Sequence, residues 1–119
     1  MTYFAAPGTK SKMVLQPKIL SLGQQREQAR IITYAVAKYY QVGVEELFKL
    51  GRKERIVIAR QISIYLIRMY TGMTASEVGR FFSKDHTTIL YAYNKVQSQM
   101  NNKFDDSYKI DIDNIKMMI

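Results

Sequence analysis

The chain has no cysteine and no tryptophan, only two prolines and one histidine, and 10 acidic residues against 18 basic ones. Without cysteine there can be neither a disulfide nor a thiolate metal site, which leaves the redox compartment open. Long apolar runs are also missing. The most apolar stretch, Ile56 to Tyr70, is interrupted by Arg60, Gln61 and Arg68 and is too polar to span a membrane. No Lys- or Arg-led apolar leader opens the sequence, so a cytoplasmic protein is expected. The shortage of acids leaves a formal net charge of +8 and a pI near 9.7. That balance favours a polyanionic partner, nucleic acid first and an anionic membrane surface second. What remains is ordinary for a globule of about one domain: 119 residues, 47% hydrophobic and 24% charged.

Residues 1–22 hold both prolines, Pro7 and Pro17, with three lysines, no acid and no sustained period. They read as a flexible basic arm ahead of a helical domain at 23–103, with a tail at 104–119. Ile31, Ile32, Ala35, Val36 and Tyr39 repeat at helical spacing and predict a helix from about Gln24 to Tyr40, broken at Gly43. A short turn of helix, Val44 to Phe48, then leads into Lys49-Leu50-Gly51-Arg52-Lys53-Glu54-Arg55, a candidate basic loop. The next helix, about Arg55 to Tyr70, is apolar on nearly every side and is therefore the central one, ended by Gly72. Its polar exception is a stripe of Arg60, Gln61 and Arg68, which fall within about a quarter of the circumference at roughly 3.6 residues per turn. Tyr39, Tyr40, Tyr65, Tyr70 and Tyr93 read as core. In the tail, Tyr108, Ile112, Ile115 and Ile119 suggest a small final helix that docks on the body.

Thr74-Ala75-Ser76-Glu77 is a capping box that should open a helix running through Phe82. A short turn at Ser83-Lys84 leads to a helix from about Asp85 to Met100. Ile89, Ala92, Tyr93, Val96 and Met100 form its core face, whereas Lys84, Thr87, Thr88, Tyr91 and Lys95 fall on the opposite one. Two helices joined by a tight turn, the second apolar behind and polar in front, make a helix-turn-helix. The opening Asp85-His86-Thr87-Thr88 suits base edges. Asp can accept from cytosine N4, Thr can touch a thymine methyl while its hydroxyl bonds either way, and His can donate or accept. Tyr91, on the same face, could lie against sugar or phosphate. The expected fold is all-α, a Trp-repressor-like helix-turn-helix bundle.

Each of these residues has a plainer use as well. Asp85 could simply cap its helix, Arg60 and Arg68 could form a solvated stripe, and Arg52 could be an idle loop arginine. Asp111-x-Asp113 matches part of a calcium loop but lacks the glycine and the distal Glu, and reads as a surface pair. His86 beside Asp85 has neither a nucleophile nor a metal site to serve, so no catalytic residue, enzymatic activity, metal or cofactor is expected.

Several of these segments, taken in order, resemble the DNA-binding C-terminal domain of the bacterial replication initiator DnaA. The resemblance spans roughly Ile31 to Gln99. It is carried by Val36-Ala37-Lys38-Tyr39-Tyr40, by Leu47-Phe48 ahead of the basic loop, and by the Arg60-Gln61 pair. The helix-turn-helix completes it, as Val78-Gly79-Arg80-Phe81-Phe82, Ser83, then Lys84-Asp85-His86-Thr87-Thr88-Ile89. Here the turn is one residue shorter than the family's, and Lys84 stands where the family has Arg, losing a bidentate fork.

The resemblance implies binding to a non-palindromic A·T-rich duplex box of about nine base pairs, read from two grooves. Asp85, His86, Thr87 and Thr88 would contact bases in the major groove, and Arg52 would probe the adjacent minor groove. Arg60, Gln61, Arg68 and Thr74 would hold the backbone, with Lys84 at the helix mouth. On their own placement, Lys49, Lys53 and Arg55 of the basic loop and Tyr91 and Lys95 of the polar face are expected to join them. The phosphate-cradling Gly-x-x-x-x-Gly-Lys-Ser/Thr of the initiator's ATPase is reduced to Gly8-Thr9-Lys10-Ser11. A stand-alone relative of the reading head is therefore expected, a replication or transcription regulator with double-stranded DNA and other regulatory proteins as partners. A protein-interaction module, or a non-specific accessory protein of a phage or mobile element, is the alternative.

Overall fold

The computed structural model describes residues 20–49 and 51–119, so most of the expected basic arm lies outside the described residues. Five α-helices follow one another: α1 (Leu22–Tyr40), α2 (Glu54–Thr71), α3 (Ala75–Phe82), α4 (His86–Met100) and α5 (Ser107–Lys116). A 3-10 turn, Val44–Phe48, stands between α1 and α2. No strand occurs among the described residues, and the fold class is all-α.

The last residue assigned to the arm, Leu22, belongs to α1. Ser21 caps it, accepting from the Gln24 N–H at 3.1 Å while Gln24 Oε1 accepts from the Ser21 N–H at 2.9 Å. This reciprocal box satisfies two amides that would otherwise lack partners. The far end of α1 falls at Tyr40 as expected, but Gly43 does not make the break. The helix stops at Gln41, which takes the left-handed conformation at φ 58, with the Val42 N–H returning to the Ala37 carbonyl at 3.0 Å. Gly43 has an ordinary φ of −71 and opens the 3-10 turn, its N–H donating to Glu46 Oε1 at 3.1 Å.

Helix α2 is the central element. Ala59, Ile62, Ile64, Leu66 and Ile67 are all at 0% exposure, with α1 packed on one side and α4 on another. Gly72 terminates it at φ 75, where a side chain would be strained. Tyr65 and Tyr70 are buried, and Tyr93 lies half-buried, stacked on Tyr65 with ring centroids 5.2 Å apart.

Residues 104–119 hold α5, whose Ile112 and Ile115 are fully buried. Asp111 is not a surface residue paired with Asp113. It accepts from the Tyr39 hydroxyl at 2.8 Å and the Tyr40 hydroxyl at 2.7 Å, and Asn114 donates to Tyr39 Oη at 3.2 Å. Two tyrosines expected to be plain core thus hold a polar clasp between α1 and α5. Burial, and then the bond to Asp111, push the Tyr40 hydroxyl above its ordinary range.

Candidate nucleic-acid interface

Helix α4 is fixed from behind. Ile89, Ala92 and Val96, three and four residues apart, are buried at 3% or less, while His86, Thr87, Thr88 and Tyr91 are exposed on the other side. Its first turn is capped by Asp85, whose Oδ1 accepts from the Thr88 N–H at 3.0 Å and from the Thr87 hydroxyl at 2.7 Å. The Thr87 hydroxyl and then the Thr88 amide hold the Asp85 carboxyl below its ordinary value. Asp85 is therefore engaged as a cap, and through it Thr87 and Thr88 are held in place at the helix mouth.

The turn that aims α4 is unusually close. Ser83 adopts φ 58 and the Lys84 N–H donates to the Gly79 carbonyl at 2.8 Å. A Cβ on Gly79 would lie 2.5 Å from the Lys84 carbonyl oxygen, so only glycine lets the chain fold back here. On the opposite flank α3 is capped by Thr74, whose hydroxyl accepts from the Glu77 N–H at 3.1 Å.

Between α2 and the start of α4 lies a cleft of about 320 Å³, with Arg60 and Gln61 on one wall and Lys84, Asp85, Thr88 and Tyr91 on the other. Burial, and then the nearby Arg60 charge, lower the pKa of Lys84. Arg60 itself turns inward. Its Nε donates to the Leu47 carbonyl at 2.9 Å, and its Nη2 donates to Lys49 at 2.7 Å and to Glu46 at 3.3 Å. These carbonyls end the 3-10 turn and begin the basic loop. The turn is gripped a second time by Phe48, which stacks on Phe82 at 5.0 Å and meets Phe81 edge-on at 5.5 Å. The basic loop therefore springs from a base fastened to both α2 and the end of α3.

Comparison with known proteins places this geometry. The family described as bacterial dnaA protein helix-turn-helix matches residues 29–96, from the middle of α1 through most of α4. The chain belongs to the bacterial DnaA helix-turn-helix family. Its class is that of a DNA-binding helix-turn-helix domain. The chromosomal replication initiator protein DnaA of Streptococcus thermophilus is 34% identical over 116 residues, 97% of this chain and 24% of that protein. Its counterpart in Streptococcus mutans is 40% identical over 85 residues, 71% of this chain and 18% of the relative. A crystal structure of a DNA replication initiation factor is similar with a TM-score of 0.68 and 31% identity, covering 82% of this chain and 30% of that one. The chain thus spans about a quarter of the length of the curated relatives it matches.

Within this DnaA-family domain, the residues singled out from the sequence fall into three places. Asp85, His86, Thr87, Thr88 and Tyr91 gather at the exposed front of α4, with Lys84 half-buried at its mouth and Lys95 half-buried further along. Lys49, Arg52, Lys53 and Arg55 are exposed on the loop and at the start of α2, beside the Arg60 anchor; Leu50 lies outside the described residues. Arg68 stands apart from the cleft, its guanidinium 4.8 Å from the centroid of the Tyr93 ring. Its Nε is buried without a partner among the described residues. The inward bonds of Arg60 and the Phe48 grip were not visible in the sequence, because backbone carbonyls as acceptors and cross-helix ring contacts leave no local pattern.

Proposed function

We propose that this domain binds double-stranded DNA with sequence preference and without catalysis. The front of α4 enters the major groove at an A·T-rich box of about nine base pairs, and the loop at 49–55 enters the adjacent minor groove. The observation that carries this reading is the fastening of the loop beside α4. Arg60 bonds the carbonyl of Lys49 and also walls the cleft shared with Lys84, Asp85 and Thr88. One basic element and one helix of short polar side chains are thereby presented from a single rigid body, as two-groove reading requires.

In this reading His86, Thr87 and Thr88 contact bases, Asp85 does so with its remaining oxygen, and Arg52 probes the minor groove, where narrow A·T tracts attract a guanidinium. Lys49, Lys53, Arg55, Gln61, Thr74, Lys84, Tyr91 and Lys95 lie along phosphates and sugars, and Arg68 does so at the far end of α2. The relatives are chromosomal replication initiator proteins, which supports a role in replication, with other replication or regulatory proteins as further partners.

The test uses inosine·cytosine pairs, which keep the minor-groove face of A·T but change the major-groove face. Replacing A·T by I·C in the half read by α4 should weaken binding by about 1–3 kcal/mol per contacted pair. In the half read by the loop the same replacement should leave affinity unchanged. Equal tolerance in both halves would remove the two-groove reading.

A further inference from the structure

Arginine on the polar stripe of a central helix is ordinarily a candidate for a phosphate. The geometry of Arg60 points elsewhere. Its Nε and Nη2 make three bonds, all to backbone carbonyls of residues 46, 47 and 49, at 2.7 to 3.3 Å. Among the described residues only the Glu46 carbonyl of these three has another backbone partner, a long 3.4 Å bond from the Lys49 N–H. A planar fork meets all three from two nitrogens held in fixed directions, which the single nitrogen of a lysine does not reproduce. Phe48, in the same turn, is stacked against Phe82, the last residue of α3. One residue beyond, Ser83 and Lys84 form the turn that aims α4.

We infer that Arg60 is a positioning residue for DNA recognition: it fixes the distance and angle between the basic loop and α4, so that Arg52 and the front of α4 engage the same box. This rests on the two-groove reading proposed above. In the proposed complex the Arg60 fork remains on the protein's own carbonyls, and its effect on DNA passes through Arg52. Box specificity then depends on a residue whose bonds are all internal. Burial lowers the Arg60 pKa, in keeping with a guanidinium partly withdrawn from solvent.

A cycle of R60K, R52A and the double variant separates this role from a phosphate contact. The readout is the ratio of Kd values for two duplexes, one with A·T and one with G·C in the half read by the loop. R52A should reduce that ratio toward one. R60K keeps the charge but has one nitrogen in place of the two that hold the three carbonyls, so it should reduce the ratio to the R52A level, leave discrimination in the α4 half unchanged, and add nothing in the R52A background. A phosphate contact behaves differently: R60K would weaken both duplexes alike and leave the ratio at the parent value, which overturns the inference. If R52A leaves the ratio at the parent value, the two-groove reading fails, and this inference fails with it.

Should R60K not fold, the parent protein supplies a second test. The Arg60 Nε–H resonance should exchange slowly with solvent and keep its position when DNA is added. Fast exchange together with a DNA-dependent shift would overturn the inference.

Discussion

Replacing Gly79 by alanine sets two effects of opposite sign against each other. Within a helix, alanine is favoured over glycine by about 0.8–1.0 kcal/mol, so propensity alone predicts a more stable α3. In this helix the added Cβ would lie 2.5 Å from the Lys84 carbonyl oxygen, about 0.9 Å inside the 3.4 Å at which ordinary contact begins. The obstructing atom is backbone, held on the same turn by the 2.8 Å bond from the Lys84 N–H to the Gly79 carbonyl, and it cannot swing away as a flexible side chain would. Either that bond opens or the start of α4 moves outward by about an ångström. Forced insertions of this kind cost roughly 1–3 kcal/mol, which outweighs the propensity gain. Gly79→Ala should therefore lower the melting temperature, by roughly 4–8 °C for each net kcal/mol lost in a domain of this size. His86 and Thr88 ride on the displaced turn, so affinity for a selected box should fall more than affinity for random DNA. Thermal melts and fluorescence anisotropy at fixed salt measure both. A variant that melts at or above the parent temperature and binds its box unchanged would refute the claim that close α3–α4 approach sets the aim of the recognition helix.

The remaining predictions concern the polar contacts. Thr88→Ala or His86→Ala should lose roughly 1–3 kcal/mol on the preferred site and relax its specificity, whereas Arg68→Ala should weaken all sequences alike and flatten the salt dependence by about one unit. Identical behaviour of the His86 and Arg68 variants across sites would show the division of roles to be mistaken. Asp111→Ala strips the acceptors from Tyr39 and Tyr40 and should cost about 1–3 kcal/mol. Amide exchange should then speed up in α5 before α2, and an α5 that stays protected would count against the clasp. The raised pKa of Tyr40 means that its contribution to stability is fully present below the ordinary tyrosine value of 10.0 and is lost as pH climbs beyond it, because the unfolded chain gives up the proton first. Urea midpoints of the parent should fall above that pH more steeply than those of Tyr40→Phe.

The helix-turn-helix was legible because its signals are local. Thr74 and Glu77 sit three apart in a capping box, Gly72 supplies the left-handed stop, and Ile89, Ala92 and Val96 repeat at helical spacing. Ser21 and Gln24 form the same box ahead of α1, and the identical rule would have moved that helix start forward. The break after α1 was misplaced because Gly43 is the stronger turn signal, yet Gln41 takes the strained conformation while the glycine opens the next turn. Nothing local could reveal the Asp111 clasp, which joins residues 71 and 72 positions apart. Arg60 was visible as a charge on a stripe, but its direction depends on carbonyls that every residue carries, and only the folded backbone shows which of them converge on it.

Selection from a randomised duplex library at near-physiological salt, with enriched sites retested over a range of salt concentrations, addresses sequence-preferring recognition by a single domain most directly. The account predicts enrichment of an A·T-rich, non-palindromic box of about nine base pairs. A palindromic site, or no enrichment over random duplex, would contradict it.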